Sequence, residues 1–247
     1  AAVQNVTKCI QRCGLTVDEL VPSALASAKA VLTDDERELG VCLVDIGAGT
    51  TDIAIYTQGS IRYTASLPVG GDQVTSDIAY GVHTPTAHAE EIKIKYGCAL
   101  AQLAHAEETI QVPSVGDRPP RRLARQALAQ SIQARYEEIF EMVQDELRRS
   151  GYESLVAAGM VLTGGAARME GALDLAEEIF HKMVRLGMPQ HVTGLSDVVS
   201  SPVYATGVGL LLHGARAAGA RHAMGGPVGG SVGDVIGKMR GWLNKNF

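Results

Sequence analysis

Apolar and polar positions alternate along this chain with two periods, and the change from one to the other marks its elements. Val3, Val6 and Ile10 recur at helical spacing, and Gly14 is a stop signal. Ala24 to Leu32 is Ala-rich, with Leu25, Ala28 and Leu32 on one face, which predicts a helix packed closely on a sheet. Thr33 to Arg37 reads as a solvated turn. Val41 to Val44 is a continuous apolar run, the pattern of a buried strand. A second strand leaves through Asp52, Ile53, Ile55 and Thr57. Gln58-Gly59 turns the chain into a third, Ile61 to Leu67. Strand, turn, strand, turn, strand predicts a β-meander.

Gly70-Gly71 ends the meander, and Asp72 is placed to cap a helix from Gln73 to Tyr80. Thr84-Pro85 opens another helix that Gly97 ends. Glu107 to Val112 alternates as a strand, and Pro113 to Pro120 is a loop. Leu128, Ile132, Tyr136, Ile139, Val143 and Leu147 then mark one side of a long helix that stops at Gly151. Val156 to Leu162 predicts a further buried strand and Met169 to His181 a helix. Val184 to Leu186 is a short strand. Val203 to Leu212 is a small-residue helix in which Gly207 and Gly209 permit close packing.

Composition narrows the class. The chain has 247 residues, 46% of them hydrophobic and 20% charged, which suits one large or two small globular domains. Net charge is −5, so overall electrostatics give no sign of a nucleic-acid partner. No apolar run reaches the length of a membrane-spanning helix, and no secretory signal opens the chain. Cys9, Cys13, Cys42 and Cys98 lack paired metal-ligand spacing, and reduced thiols fit a cytoplasmic setting. The chain starts at Ala1 midway into a helical pattern, so further residues are expected upstream.

Candidate chemistry sits at the turns. Asp45-Ile-Gly47-Ala-Gly49-Thr50-Thr51-Asp52 places two glycines between strands, where freed backbone N–H groups can cradle an anion. Thr50 and Thr51 add hydroxyls. Asp45, at the strand end, is a hard oxygen group suited to Mg²⁺ through water. Thr163-Gly164-Gly165-Ala166 is a second strand ending in glycines before a helix, again allowing a ligand close to the backbone. Glu90 and Lys93 share a helix face three residues apart, by spacing alone an ordinary surface ion pair. Arg118, Arg121, Arg122, Arg125 and Arg135 gather near the start of the long helix, where cations oppose the macrodipole. They form either a solvated basic face or a site for an acidic peptide.

The end of the chain differs in character. Gly214 to Gly230 holds six glycines and predicts a flexible linker. Beyond it, Val232, Val235, Ile236, Met239, Trp242, Leu243 and Phe247 fall on one helical stripe. The opposite face carries Asp234, Lys238, Arg240 and Lys245. Tryptophan with basic residues predicts an interfacial membrane helix, disordered in solution and folding on lipid.

The string from Asp45 to Asp52 resembles the second phosphate motif of the actin, Hsp70 and sugar-kinase superfamily. The Gly164-Gly165 turn resembles its adenosine motif, and Ala89-Glu90-Glu91-Ile92-Lys93 its helix whose Glu and Lys reach the ribose. Within the superfamily, Glu36 to Gly47, Val74 to Tyr80, Pro113 to Arg121 and Val161 to Ala167 resemble the FtsA family of bacterial cell-division proteins. The resemblance implies an α/β actin-like (ribonuclease H-like) ATPase lobe: subdomain 2A over 21–71 and 155–213, and an inserted subdomain 2B over 72–154. A helix over 1–20 continues from a missing upstream part, a linker spans 214–230, and an amphipathic membrane helix spans 231–247.

It implies ATP and Mg²⁺ as cofactors. Nucleotide binding falls on Asp45, Gly47, Gly49, Thr50, Thr51, Glu90, Lys93, Gly164, Gly165 and Ala166. It implies an FtsZ C-terminal peptide on Arg121, Arg125 and Arg135, self-assembly into actin-like protofilaments, and other divisome proteins as partners. Val235, Ile236, Met239, Trp242, Leu243 and Phe247 would meet anionic lipids on the cytoplasmic face of the inner membrane at the septum. Leu20 to Ala24 offers no acid or amide to orient water and Glu19 falls out of register, so slow or absent ATP turnover is expected. Two alternatives stand beside this: a sugar-kinase phosphotransferase and a PilM-like assembly scaffold.

Overall fold

A computed structural model of the chain describes residues 2–114, 119–190, 192 and 199–223. After α1 (Ala2–Arg12) and α2 (Ser23–Val31), the short α3 (Asp34–Leu39) leads into β1 (Val41–Ile46). All six residues of β1 are buried, as a strand with neighbours on both sides and layers on both faces requires. β2 (Thr51–Thr57) pairs antiparallel with β1 and with β3 (Ser60–Leu67). Gln58 and Gly59 both take positive φ, 52° and 68°, the backbone that a two-residue hairpin needs. β6 (Met160–Thr163) and β7 (Val184–Leu186) extend the sheet by parallel pairing, giving the order β3-β2-β1-β6-β7.

Between β3 and β6 the chain adds α4 (Gly71–Gly81), α5 (Thr86–Tyr96), β4 (Thr109–Val112), β5 (Arg121–Ala124) and α6 (Arg125–Ser150). β4 and β5 make a separate antiparallel pair. The stripe predicted on the long helix is the buried face of α6: Leu128, Ile132, Tyr136, Ile139, Val143 and Leu147 all lie in the core. Phe140 joins them, edge-on to Tyr136 and to Phe180 of α7 (Ala172–Phe180), with centroids 5.9 and 5.4 Å apart. The last helix, α8, is Ala205–Ala223. The chain divides into two units at Leu210, and both sheets belong to the first.

Several elements differ from the sequence reading. The turn expected over Thr33 to Arg37 is the start of α3, because Thr33 and Glu36 close a capping box, with N–H···O distances of 3.2 and 2.8 Å. Asp72 sits inside the first turn of α4 and does not cap it; the Gly70 N–H is satisfied by the Gln73 side chain at 2.8 Å. Arg121 and Arg122 lie on β5, not at a helix start, because they pair with Val112 and Gln111 of β4. The strand expected from Val156 begins only at Met160, after the left-handed Gly159.

Gly209 packs as expected, for a Cβ there would stand 1.8 Å from the Ala26 carbonyl oxygen, but Gly207 has open space. α8 also runs ten residues into the segment assigned to the linker. Five alanines and two arginines between Gly214 and Ala223 carry enough helix propensity to offset the two glycines. Residues 224–230, Arg118 and the whole expected membrane helix, 231–247, lie outside the described residues. Among the described residues no helix is long and apolar enough to cross a membrane.

Candidate functional site

β1 and β2 present the loop Gly47–Thr50 at the end of the sheet. The Gly47 N–H closes it by donating to the Thr50 carbonyl at 2.9 Å. The Gly47 and Ala48 carbonyls accept from the N–H groups of Gly71 and Asp72, at 2.9 and 2.8 Å, so the loop is bound to the start of α4. Gly70 lets them meet: a Cβ there would lie 2.7 and 2.6 Å from those same carbonyl oxygens. With its carbonyls turned inward, the loop leaves the N–H groups of Ala48 and Gly49 without an acceptor among the described residues. Such a pair of free donors is what an anion needs. Thr50 is exposed. Thr51 corrects the sequence reading: it is wholly buried and its hydroxyl donates to the Val69 carbonyl at 2.8 Å, closing the loop rather than facing a ligand.

The opposite wall comes from the end of β6. Its two glycines do different jobs. Gly164 has φ 88°, and a Cβ there would sit 2.4 Å from the Ile46 carbonyl oxygen and 2.5 Å from Asp45 Oδ1. Its smallness therefore serves the chain's own β1, not a ligand. Gly165 faces open space, with only Val203 within 4 Å of a Cβ, at 3.9 Å. The Ala166 carbonyl is held by the Tyr136 hydroxyl at 2.8 Å, and burial pushes that phenol's pKa up.

α5 supplies the third side. Lys93 Nζ meets Glu90 Oε2 at 2.6 Å and donates to Thr75 Oγ1 at 2.8 Å and the Gly71 carbonyl at 3.0 Å. Burial raises the pKa of Glu90, but hydrogen bonds from Lys93 and Thr75 outweigh it and hold the carboxyl below its ordinary range. These walls enclose a cleft of about 470 Å³ lined by Gly47, Glu90, Lys93, Gly165 and Ala166 among the residues expected from sequence. Gly71, Asp72, Lys95, Gly97, Arg168 and Glu170 also line it and were missed. Gly70-Gly71 carried the legible signal, a glycine pair before a helix; the others have no local pattern.

Asp45 stands behind the cleft rather than on its lining. Ser27 Oγ donates to its Oδ2 at 2.5 Å and Thr206 Oγ1 at 3.2 Å. Burial raises the Asp45 pKa, these hydroxyls lower it in part, and the Asp52 charge raises it further. The folded chain thus holds the proton more tightly than the unfolded chain. Stability falls as pH rises from the ordinary value of 3.8 to the folded-state value. Asp45→Asn should remove that fall and raise the urea midpoint at neutral pH. Equal pH profiles for the two proteins would contradict it. Among the described residues no group of three or more His, Cys, Asp or Glu is placed to hold a metal.

Of the three arginines assigned to an acidic peptide, Arg121 and Arg135 both meet α4 or its C-terminal cap, and Arg125 stands apart from Arg135. Arg121 donates to the Val82 carbonyl. Arg135 grips Asp77 with two nitrogens, at 2.6 and 2.9 Å. Arg125 lies ten residues before Arg135 on α6, about 15 Å along the axis, and binds Glu108 and Glu170.

Comparison with known proteins decides the family. The family model described as Cell division protein FtsA matches residues 42–209. The chain belongs to the FtsA family. FtsA of Pseudomonas aeruginosa is 59% identical over all of this chain, and FtsA of Escherichia coli K12 is 48% identical over 99% of it. In both cases the alignment takes up 60% of the relative, so this FtsA-family chain spans about three fifths of the curated relatives. Its fold is actin-like. MreB5 of Spiroplasma citri bound to ADP superposes with a TM-score of 0.67 at 19% identity, over 85% of this chain and 63% of MreB5. The MamK double helical filament gives 0.64 at 16%, over 87% and 65%.

Proposed function

We propose that this chain is the nucleotide-binding and membrane-tethering part of a cell-division scaffold. It binds ATP with Mg²⁺, assembles with copies of itself, and links FtsZ filaments to the cytoplasmic face of the inner membrane at the septum. The observation that carries the nucleotide reading is the cleft in which the hairpin, Gly165-Ala166 and the Glu90–Lys93 pair converge. The N–H groups of Ala48 and Gly49 suit phosphates; the Glu90–Lys93 pair suits the ribose, and the open space at Gly165 suits the rest of the nucleoside. Mg²⁺ would balance phosphate charge when bound. Asp45 would act on it only through water, because it stands behind the cleft lining with its Oδ2 held by Ser27 and Thr206.

Solved proteins of the same fold support the wider reading: MreB5 was solved with ADP and with AMPPNP, and MamK as a filament. Family membership favours a division scaffold over the sugar-kinase and PilM-like alternatives. Turnover should be slow, since no acid or amide lies in Leu20–Ala24. Arg121 and Arg135 are the cations offered to the acidic FtsZ tail, in exchange for Val82 and Asp77. Val235, Ile236, Met239, Trp242, Leu243 and Phe247 would enter anionic lipid.

Co-sedimentation with anionic liposomes tests the tether, and Mg-ATP titration of the same preparation tests the cleft. The whole chain should pellet and the chain without residues 231–247 should not, while both bind ATP. Pelleting that ignores the tail would overturn the tether, and absence of ATP binding would overturn the nucleotide reading.

A further inference from the structure

The cleft has a wall that holds none of the individual residues assigned to the nucleotide. It is a seam between the end of α5 and the segment after β6. The Ala99 N–H donates to the Glu170 carbonyl at 2.7 Å, and Cys98 bridges Glu170 in parallel. Glycines on both sides make the seam tight. A Cβ on Gly97 would stand 2.3 Å from the Lys93 carbonyl oxygen of its own helix and 2.8 Å from Met169 Sδ across the seam, and one on the left-handed Gly171 would stand 2.8 Å from Leu100 Cβ. Gly97, Met169 and Glu170 face the cleft from this seam.

Arg125 lies behind it. Its Nε donates to the Tyr96 carbonyl at 3.0 Å, its Nη1 to Glu108 at 3.0 Å, and its Nη2 to Glu170. All three nitrogens are committed and the side chain is only 14% exposed, so an acidic peptide finds little to grip. We infer that Arg125 is a positioning residue of the nucleotide cleft: it joins the end of α5 to Glu170 and neutralises a carboxylate that would otherwise face an anionic ligand. This rests on the nucleotide reading above.

The chemistry asks for arginine. A guanidinium fork reaches a carbonyl and two carboxylates at once, whereas an ammonium is a point charge on a flexible stem. Glu170 is half-exposed and lines the cleft, so its charge matters to what enters. Without Arg125 the seam loses its anchor and the cleft gains an uncompensated negative charge. The first effect is a matter of folding. The second is electrostatic, and removing the charge reverses it.

The test is Mg-ATP binding to the whole chain as wild type, Arg125→Ala, Arg125→Lys and Arg125→Ala/Glu170→Gln, with thermal stability measured alongside. Arg125→Ala should weaken ATP binding about tenfold, the effect of an unmade charged hydrogen bond. Arg125→Lys, which keeps charge and bulk, should fold and still bind more weakly than wild type. The double variant should recover most of the lost affinity without recovering thermal stability. Binding of an Asp- and Glu-rich probe peptide should not change in any of them. Wild-type affinity in both Arg125 variants would overturn the inference alone, as would a double variant no better than Arg125→Ala. A wild-type chain that binds no ATP would instead remove the nucleotide reading, and the inference with it.

Discussion

Gly164→Ala is expected to destabilise the chain by about 3–5 kcal/mol, combining left-handed strain with backbone overlap. The residue has φ 88°, where a Cβ is unfavourable in itself. That Cβ would also stand 2.4 Å from the Ile46 carbonyl oxygen and 2.5 Å from Asp45 Oδ1. Neither group can retreat. Ile46 is fully buried at the end of the central strand and paired with Thr51 of β2, and Asp45 is held by Ser27 and Thr206. Gly165→Ala, one residue on, makes the control. Its added methyl meets only Val203 at 3.9 Å, so stability should change little while ATP binding weakens, because the methyl projects into space proposed for the nucleoside. Urea denaturation and ATP titration of the two variants separate the roles. A Gly164→Ala midpoint near wild type would mean that β1 and β6 can part at this point.

That contrast illustrates what the sequence carried and what it did not. Glycine at 164 and 165 was legible as a turn where backbone comes close to something, but the partner of each glycine is a tertiary fact. The continuous apolar run of β1 and the stripe on α6 were legible because burial on both faces, or along one helical face, leaves a periodic trace. β5 was hidden because Arg121-Arg122-Leu123-Ala124 has no alternation strong enough to outweigh the long helix beside it, and only pairing with β4 defines it. Thr51 looked like a ligand hydroxyl until the Val69 carbonyl appeared across the loop. The arginines were legible as charge, but the carboxylates that meet them, Asp77, Glu108 and Glu170, come from three separate parts of the chain.

Lys93→Met should lower affinity for Mg-ATP about a hundredfold, the scale of losing a charge-assisted contact in a partly enclosed site. The ammonium is 12% exposed by side chain and ties together Glu90, Thr75 and the start of α4, which in turn carries the hairpin. Methionine fills the space of the stem but supplies neither the charge nor the donors. Glu90→Gln keeps the lysine charge and an acceptor for Thr75, so it should lose less. Acid sensitivity gives an independent readout. The pKa of Glu90 is lowered, so its contribution to stability is present above the ordinary value of 4.5 and is lost as pH falls through the folded-state value. In Lys93→Met, where the main support of that lowered pKa is gone, the loss on acidification should shrink. If Lys93→Met bound Mg-ATP like the wild type and differed only in acid stability, Lys93 would be a staple between α4 and α5 and not a contact of the ribose.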